Sequence, residues 1–290
     1  MTIFELVKLA LDELYGEAKQ TYGGKVDEEI RDRISYLSAS YGSLTVTGRQ
    51  AVDYKDPATR FAYVFKYVAA HGDYLVQGLK MLRAKLGGPI FTGENARVSC
   101  VGGGPGSDII GVLKYLDEHK GSESVNKITC YLLDREQAWA DTWTELDASL
   151  NMRIQLNANF QALDVTDPAS WKYQRKFLRA DLFTLSYFVS EVYCLDADRT
   201  GKVTAFWQEL FGNAKAGAIF IYTDNGSDQF NNYFHQQSEA AKLQQILCHE
   251  NVRITPSYTE QKSELAEYSK KFNHNPKIQT TMTLRVLRKG

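Results

Sequence analysis

Four glycines within five positions, Gly102, Gly103, Gly104 and Gly106, stand between a short apolar run, Val98–Val101, and an amphipathic stretch that begins at Asp108. Glycine admits positive φ and puts no Cβ in the way of a ligand that approaches the backbone. A helix starting just behind such a turn aims its free N–H groups and positive dipole end across it. The combination suits a ligand carrying a carboxylate, phosphate or ribose, since one or two glycines would suffice for a turn alone. A phosphate-binding P-loop is excluded, because no lysine follows the turn at the required spacing. A dinucleotide turn needs a third glycine where this chain has Ser107, so that match is incomplete.

Read as GxGxG after a strand, Gly102, Gly104 and Gly106 resemble motif I of the class I S-adenosyl-L-methionine-dependent methyltransferases. Two further positions fit the same resemblance. Leu132-Leu133-Asp134 ends the next strand, where an acid can accept hydrogen bonds from both ribose hydroxyls, with Arg135 beside it. NAD enzymes place an acid similarly, and a helix cap is a third use for Asp134. Leu163-Asp164-Val165 ends the third strand, where the family sets an acid for the adenine amino group beside an apolar neighbour; a turn-forming role is the other option for Asp164. Asp108 either caps its helix or reaches the methionine amino group through water. The resemblance implies that the glycine turn, Gly103 included, holds the methionine moiety, with Ser186 at its edge.

The same resemblance places the methyl acceptor over the end of the fourth strand, in Ser186-Tyr187-Phe188-Val189-Ser190-Glu191. Tyr187 and Glu191 are the catalytic candidates, one as a wall of the methyl channel, the other as a carboxylate that holds a cationic amine or takes a proton. Helix-start packing explains both equally. Phe188 joins Arg60, Tyr63 and Tyr67 as substrate or lid residues; the latter three share one helical face by their spacing, and an arginine beside aromatic rings suits a planar group. No Pro-Pro-aromatic motif follows the fourth strand, which argues against exocyclic-amine methylation of adenine or glutamine, and no Pro-Cys is there for cytosine chemistry. Thr223-Asp224-Asn225 is similar to the magnesium-holding pair of catechol-type methyltransferases, but Ser186 stands where their fourth-strand acid belongs, so no metal is expected. The overall sequence resembles uncharacterised animal methyltransferase-like proteins, which name no acceptor. Two rivals stay open: an NAD-linked oxidoreductase, and a non-catalytic protein that keeps the cofactor fold as a binding scaffold.

Positioning these residues requires a sheet. From Arg97 onward, short apolar runs alternate with amphipathic ones, the pattern of a doubly wound α/β fold. Strands are expected at Val98–Val101, Lys127–Leu133, Phe160–Leu163, Asp181–Ser186, Ala218–Tyr222, Val252–Ile254 and Thr280–Leu287, with helices between them, among them Asn231–Leu247 and a charged insertion at Glu260–Lys271. The resemblance makes this a seven-stranded, mostly parallel sheet with a reversed C-terminal β-hairpin. Before Gly87-Gly88-Pro89 the chain reads as helical throughout, so residues 1–90 are expected to form a helical cap and 91–290 the Rossmann-like cofactor domain.

The 290 residues, 43% hydrophobic and 24% charged, are those of an ordinary globular protein. With 34 Lys and Arg against 35 Asp and Glu, the net charge of −1 gives no pull toward nucleic acid or anionic lipid. Lys172, Arg175, Lys176 and Arg179 form a local basic stretch, read as a solvated face before a phosphate contact. No apolar run approaches the roughly 18 residues of a membrane span, and the N-terminus reads as an amphipathic helix, which makes cytosol or nucleus the expected compartment. The cysteines show no zinc spacing, and Cys100 and Cys130 read as small buried hydrophobes.

Overall fold

The computed structural model describes residues 3–42, 52–149, 154–196, 201–256 and 265–290. Four helices come first: α1 (Ile3–Tyr22), α2 (Val26–Gly42), α3 (Pro57–Tyr63) and, after a π-helical turn at Val64–Val68, α4 (Ala69–Leu86). The alternating part follows as β1 (Asn95–Val101), α5 (Ser107–Glu118), β2 (Lys127–Asp134), α6 (Ala138–Ser149), β3 (Gln155–Ala162), α7 (Pro168–Trp171), β4 (Leu182–Ser186) and α8 (Val189–Asp196). It closes with α9 (Lys202–Asn213), β5 (Ile219–Asn225), α10 (Asp228–Ala240), β6 (Gln244–Ile254), α11 (Ala266–Phe272) and β7 (Thr280–Arg288).

The strands form one sheet in the order β3-β2-β1-β4-β5-β7-β6, all parallel except β7, which runs antiparallel to both its neighbours. This is the strand order and the reversed edge of the class I methyltransferase fold. The central strands are apolar on both faces because helices cover both. Alternation along β4 and β5 sorts the side chains: Leu182, Ile219 and Ile221 join the core beneath the N-terminal helices, whereas Phe183, Leu185, Phe220 and Tyr222 join the one beneath α9 and α10. The helices before residue 90 share the first of these cores with α5 and the sheet. There α4 crosses α5 so closely that a Cβ on Gly111 would stand 2.6 Å from the Gly72 carbonyl.

Local sequence explains the element ends. Asp56 caps α3 by accepting the Ala58 N–H, with Pro57 behind it, and Asp167 with Pro168 does the same for α7 through Ala169; each such cap is worth about 1 kcal/mol. Gly87 ends α4 in the left-handed region. Buried Glu123 then ties down the connection to β1, accepting the N–H groups of Ile90 and Phe91, the Tyr115 hydroxyl and the Arg83 guanidinium.

Two expectations fail at the sheet's edges. The helix expected through Leu247 stops at Ala240, and Gln244–Leu247 belong to β6. Lys242, in the left-handed region, makes the break. β6 pairs only with β7, is largely exposed and carries two bulges, so its polar sequence shows no strand alternation. β3, the opposite edge, likewise begins five residues before Phe160, at Gln155. Of the insertion expected at Glu260–Lys271, residues 260–264 lie outside the described ones, and α11 takes up the rest from Ala266 on. Arg175 of the basic stretch pairs with Glu209 at 2.7 Å. No helix among the described residues is long and apolar enough to cross a membrane.

Candidate functional site

In an open parallel sheet a crevice forms outside the carboxyl ends of the strands where the order reverses. Here that point lies between β1 and β4. The cleft found there is lined by Gly102 and Pro105 from the glycine turn, Leu133, Asp134 and Arg135 from the end of β2, Leu163, Asp164 and Val165 after β3, and Ser186, Tyr187, Phe188 and Glu191 after β4. Tyr41, Tyr54 and Tyr63 from the N-terminal helical region close its other side, with Trp139 of α6.

The glycine turn fits this cleft differently from the expectation. Gly102 and Gly106 have φ of 70° and 79°, a left-handed backbone that side chains resist. Of the four, Gly102 lines the cleft. Each of the four is also held to glycine by a neighbour within the chain. A Cβ on Gly102 would meet the Phe188 ring at 2.5 Å, on Gly103 the Cys100 side chain and carbonyl, on Gly104 Asp134 and Trp139, and on Gly106 the Trp143 indole. The turn is glycine-rich because two tryptophans, a phenylalanine and the preceding strand crowd it. The count of glycines therefore argues for a crowded turn as much as for a ligand.

The carboxylates carry the chemistry of the cleft. Asp134 accepts the N–H groups of Gly104 at 3.1 Å and Glu136 at 2.9 Å, so it pins the glycine turn to the loop after β2. Burial pushes its carboxyl up to about 6 despite those two bonds, which favour the charged form. Asp164 forms the Asx-type turn that was its alternative role, with Thr166 donating from both N–H and hydroxyl to the same oxygen, Oδ1. Its side chain still faces the cleft beside Val165. Asp224, fully buried at the end of β5, accepts the Ser190 and Asn225 N–H groups and so caps α8; burial pushes it up to about 7.

Two expected site residues stand elsewhere. Asp108 is 1% exposed in the first turn of α5, bonded to Ser107 and outside the cleft lining, and burial raises its pKa. Its carboxyl meets Thr184 and Ser186 of β4, whose hydrogen bonds oppose that rise, so Ser186 stands in the lining where Asp108 does not. Arg60 is 4% exposed and faces α1, donating to the carbonyls of Tyr54 and Lys55 and pairing with Glu17. It fastens the segment before α3 to α1 and presents no cation to the cleft. Tyr63 and Tyr67 do face inward.

Behind Tyr41, Tyr63 and Tyr187, which line both spaces, lies a second chamber of about 320 Å³. Ser38, Gly42, Lys66, Tyr67, His71, Ser190, Asn225 and Lys277 complete its described wall. Tyr187 holds a φ of 55° and donates its N–H to the Thr223 carbonyl, which extends the β4–β5 pairing by one residue and turns the ring into the partition. Sequence reasoning missed Tyr41, Trp139, His71 and Lys277. Tyr41 and His71 follow apolar helical spacing and read as core, and Lys277 lies in a loop that only the sheet's closing turn brings near β4. No group of three or more His, Cys, Asp or Glu side chains that could hold a metal ion exists among the described residues.

No family model matches the sequence, and no curated protein matches it significantly. Among solved structures it is similar to a candidate RNA methyltransferase from Pyrococcus horikoshii, at 12% identity over 89% of this chain and 98% of that one, with a TM-score of 0.43. It is also similar to the N-methyltransferase NodS from Bradyrhizobium japonicum in complex with S-adenosyl-L-homocysteine, at 8% identity over 87% of this chain and 97% of that one, TM-score 0.41. A third is the 4+2 cyclase SpnF, at 13% identity over 74% and 81%, TM-score 0.41. At such values these likenesses say nothing of reaction or acceptor, and the fold rests on the strand order above.

Proposed function

We propose that the chain is an S-adenosyl-L-methionine-dependent methyltransferase whose cofactor lies in the cleft at the switch point. The observation that carries this is the convergence of Asp134 and Asp164–Val165, from the ends of two different strands, on one cleft beside the glycine turn. The donor set fits the group: a carboxylate for the ribose hydroxyls, a second carboxyl with an apolar neighbour for the adenine edge, and Leu133 and Leu163 as apolar surface for the base. Gly102 and Ser186 would border the methionine moiety, with Gly103, Gly104 and Gly106 shaping the turn behind them and Arg135 at the open rim. Asp108, which meets Ser186, would act on the site through that residue. A nicotinamide reading is disfavoured by Ser107 in place of the third glycine and by the reversed β7.

When bound, the cofactor supplies a sulfonium methyl that needs little further activation. The remaining work falls to placement and water exclusion. Tyr41, Tyr54, Tyr63, Tyr187 and Phe188 line the cleft with aromatic surface, and Glu191 stands in its wall to hold a cation or take a proton at a carboxylate oxygen. Residues 1–90 serve as the acceptor-side cap, with Tyr63 and Tyr67 in place of Arg60 as its contribution, and 91–290 as the cofactor-binding part. A relation to animal methyltransferase-like proteins would leave the acceptor open, with cytosol or nucleus as the compartment in which to seek it. Incubating the full chain with methyl-labelled cofactor and fractionated cell extract tests the proposal. Label should pass to one fraction and be lost with Tyr187→Ala; the absence of transfer to small molecules, RNA and protein alike would favour the scaffold reading.

A further inference from the structure

The second chamber has a chemistry of its own. Its described lining brings together four tyrosines, Tyr41, Tyr63, Tyr67 and Tyr187, one imidazole and two lysines, with no carboxylate. The Lys277 ammonium lies 4.6 Å from the centroid of the Tyr187 ring, 5.8 Å from that of Tyr67, and 3.5 Å from the Tyr187 hydroxyl. Opposite, His71 is 4% exposed, and its Nε2 has no hydrogen-bond partner among the described residues. A buried polar nitrogen without a partner costs free energy that a ligand's acceptor or hydroxyl would recover. Burial pushes Lys277 down to about 8, which leaves it mostly charged at neutral pH, and lowers Lys66 as well; an incoming anion would oppose both shifts.

We infer that this chamber is the acceptor site and takes a small planar acid, an aromatic or heteroaromatic ring bearing a carboxylate, with the ring among the tyrosines and the carboxylate on Lys277. The volume suits one mono- or bicyclic ring system and no polymer. A cationic acceptor such as a peptide lysine would face Lys66, Lys277 and a neutral imidazole among the described lining, with Asp224 as the carboxylate that acts on Lys277. Tyr187, shared with the cofactor cleft, is the wall through which the two spaces adjoin. As a binding chamber the inference stands on these contacts; as an acceptor site it rests on the methyltransferase reading.

Saturation-transfer NMR on the full chain, without cofactor, tests the chamber with benzoate, 4-hydroxybenzoate and indole-3-carboxylate against tyramine and benzyl alcohol. At least one acid should bind at millimolar concentration while tyramine does not, and Lys277→Met should weaken that binding about tenfold or more, as expected for loss of a charge-assisted contact. Lys277→Arg, which keeps the cation, should retain most of it, and melting curves confirm that both variants fold. Binding of none of the acids, a preference for tyramine, or equal binding by Lys277→Met would overturn the inference. Because S-adenosyl-L-homocysteine binding is measured separately, any of these results beside intact cofactor binding would leave the methyltransferase reading standing.

Discussion

The imidazole of His71 lies flat against the phenol ring of Tyr187, with centroids 3.8 Å apart and planes inclined by 11°. One ring comes from the long helix that covers the sheet, the other from the strained residue that follows β4, so this stack locks the N-terminal helices onto the partition between cleft and chamber. Burial holds the His71 pKa well below its ordinary 6.5, with Lys277 adding to the effect. The imidazole is therefore neutral and able to present either an acceptor or a donor.

In Tyr187→Ala the stack is lost and water reaches His71. Its pKa should move back up toward the ordinary value, whereas Tyr187→Phe should leave it low. An NMR titration of the His71 ring protons checks this; an unmoved, low value in the alanine variant would mean that α4 alone buries the ring.

The crowding of the glycine turn predicts a contrast in stability. Gly106 and Gly217 have nearly equal φ, 79° and 80°, but a Cβ on Gly217 meets nothing within 4 Å whereas one on Gly106 meets the Trp143 indole. Gly217→Ala should cost roughly 1 kcal/mol for the left-handed backbone alone, and Gly106→Ala roughly 2–4 kcal/mol once overpacking is added. Chemical denaturation of both variants gives the comparison. Equal costs would show that the tryptophan yields freely.

Much of the fold was legible in the sequence because the central strands are buried on both faces and read as unbroken apolar runs, with Asp-Pro pairs marking helix starts. The edge strands β3 and β6 were not, since exposure lets polar residues fill them and removes the periodic signal. Asp134 and Asp164 were legible as acids at strand ends. Arg60 misled, because helical spacing puts it near Tyr63 and Tyr67 without revealing that α1 supplies its partner. His71 and Lys277 lie too far apart in sequence for any local pattern to join them.

Arg60 supplies a further expectation. Arg60→Met leaves two carbonyls without their donor and half-exposed Glu17 without its cation, at a cost of about 1–3 kcal/mol, visible as a lowered melting temperature. Below that temperature its affinity for S-adenosyl-L-homocysteine should equal that of the native chain, since the guanidinium faces away from the cleft. A selective loss of affinity would place it in the site after all.

Acid should weaken cofactor binding. An ionised Asp134 is the form that accepts from two hydroxyls, and burial has already lifted its pKa to about 6. Protonation competes with the ligand below that point, so affinity should be flat above pH 6 to 7 and fall by up to about tenfold per unit beneath it. Asp134→Ala should remove this acid limb. A profile that rises toward acid would assign the ribose contact to another group.

Calorimetry of the full chain with S-adenosyl-L-homocysteine, native and Asp134→Ala, addresses the central claim most directly. One-to-one binding that weakens about tenfold or more in the variant while NADH gives no heat is the result expected of this cleft. Absence of heat with the native chain, or equal affinity in an Asp134→Ala protein that melts normally, would contradict it.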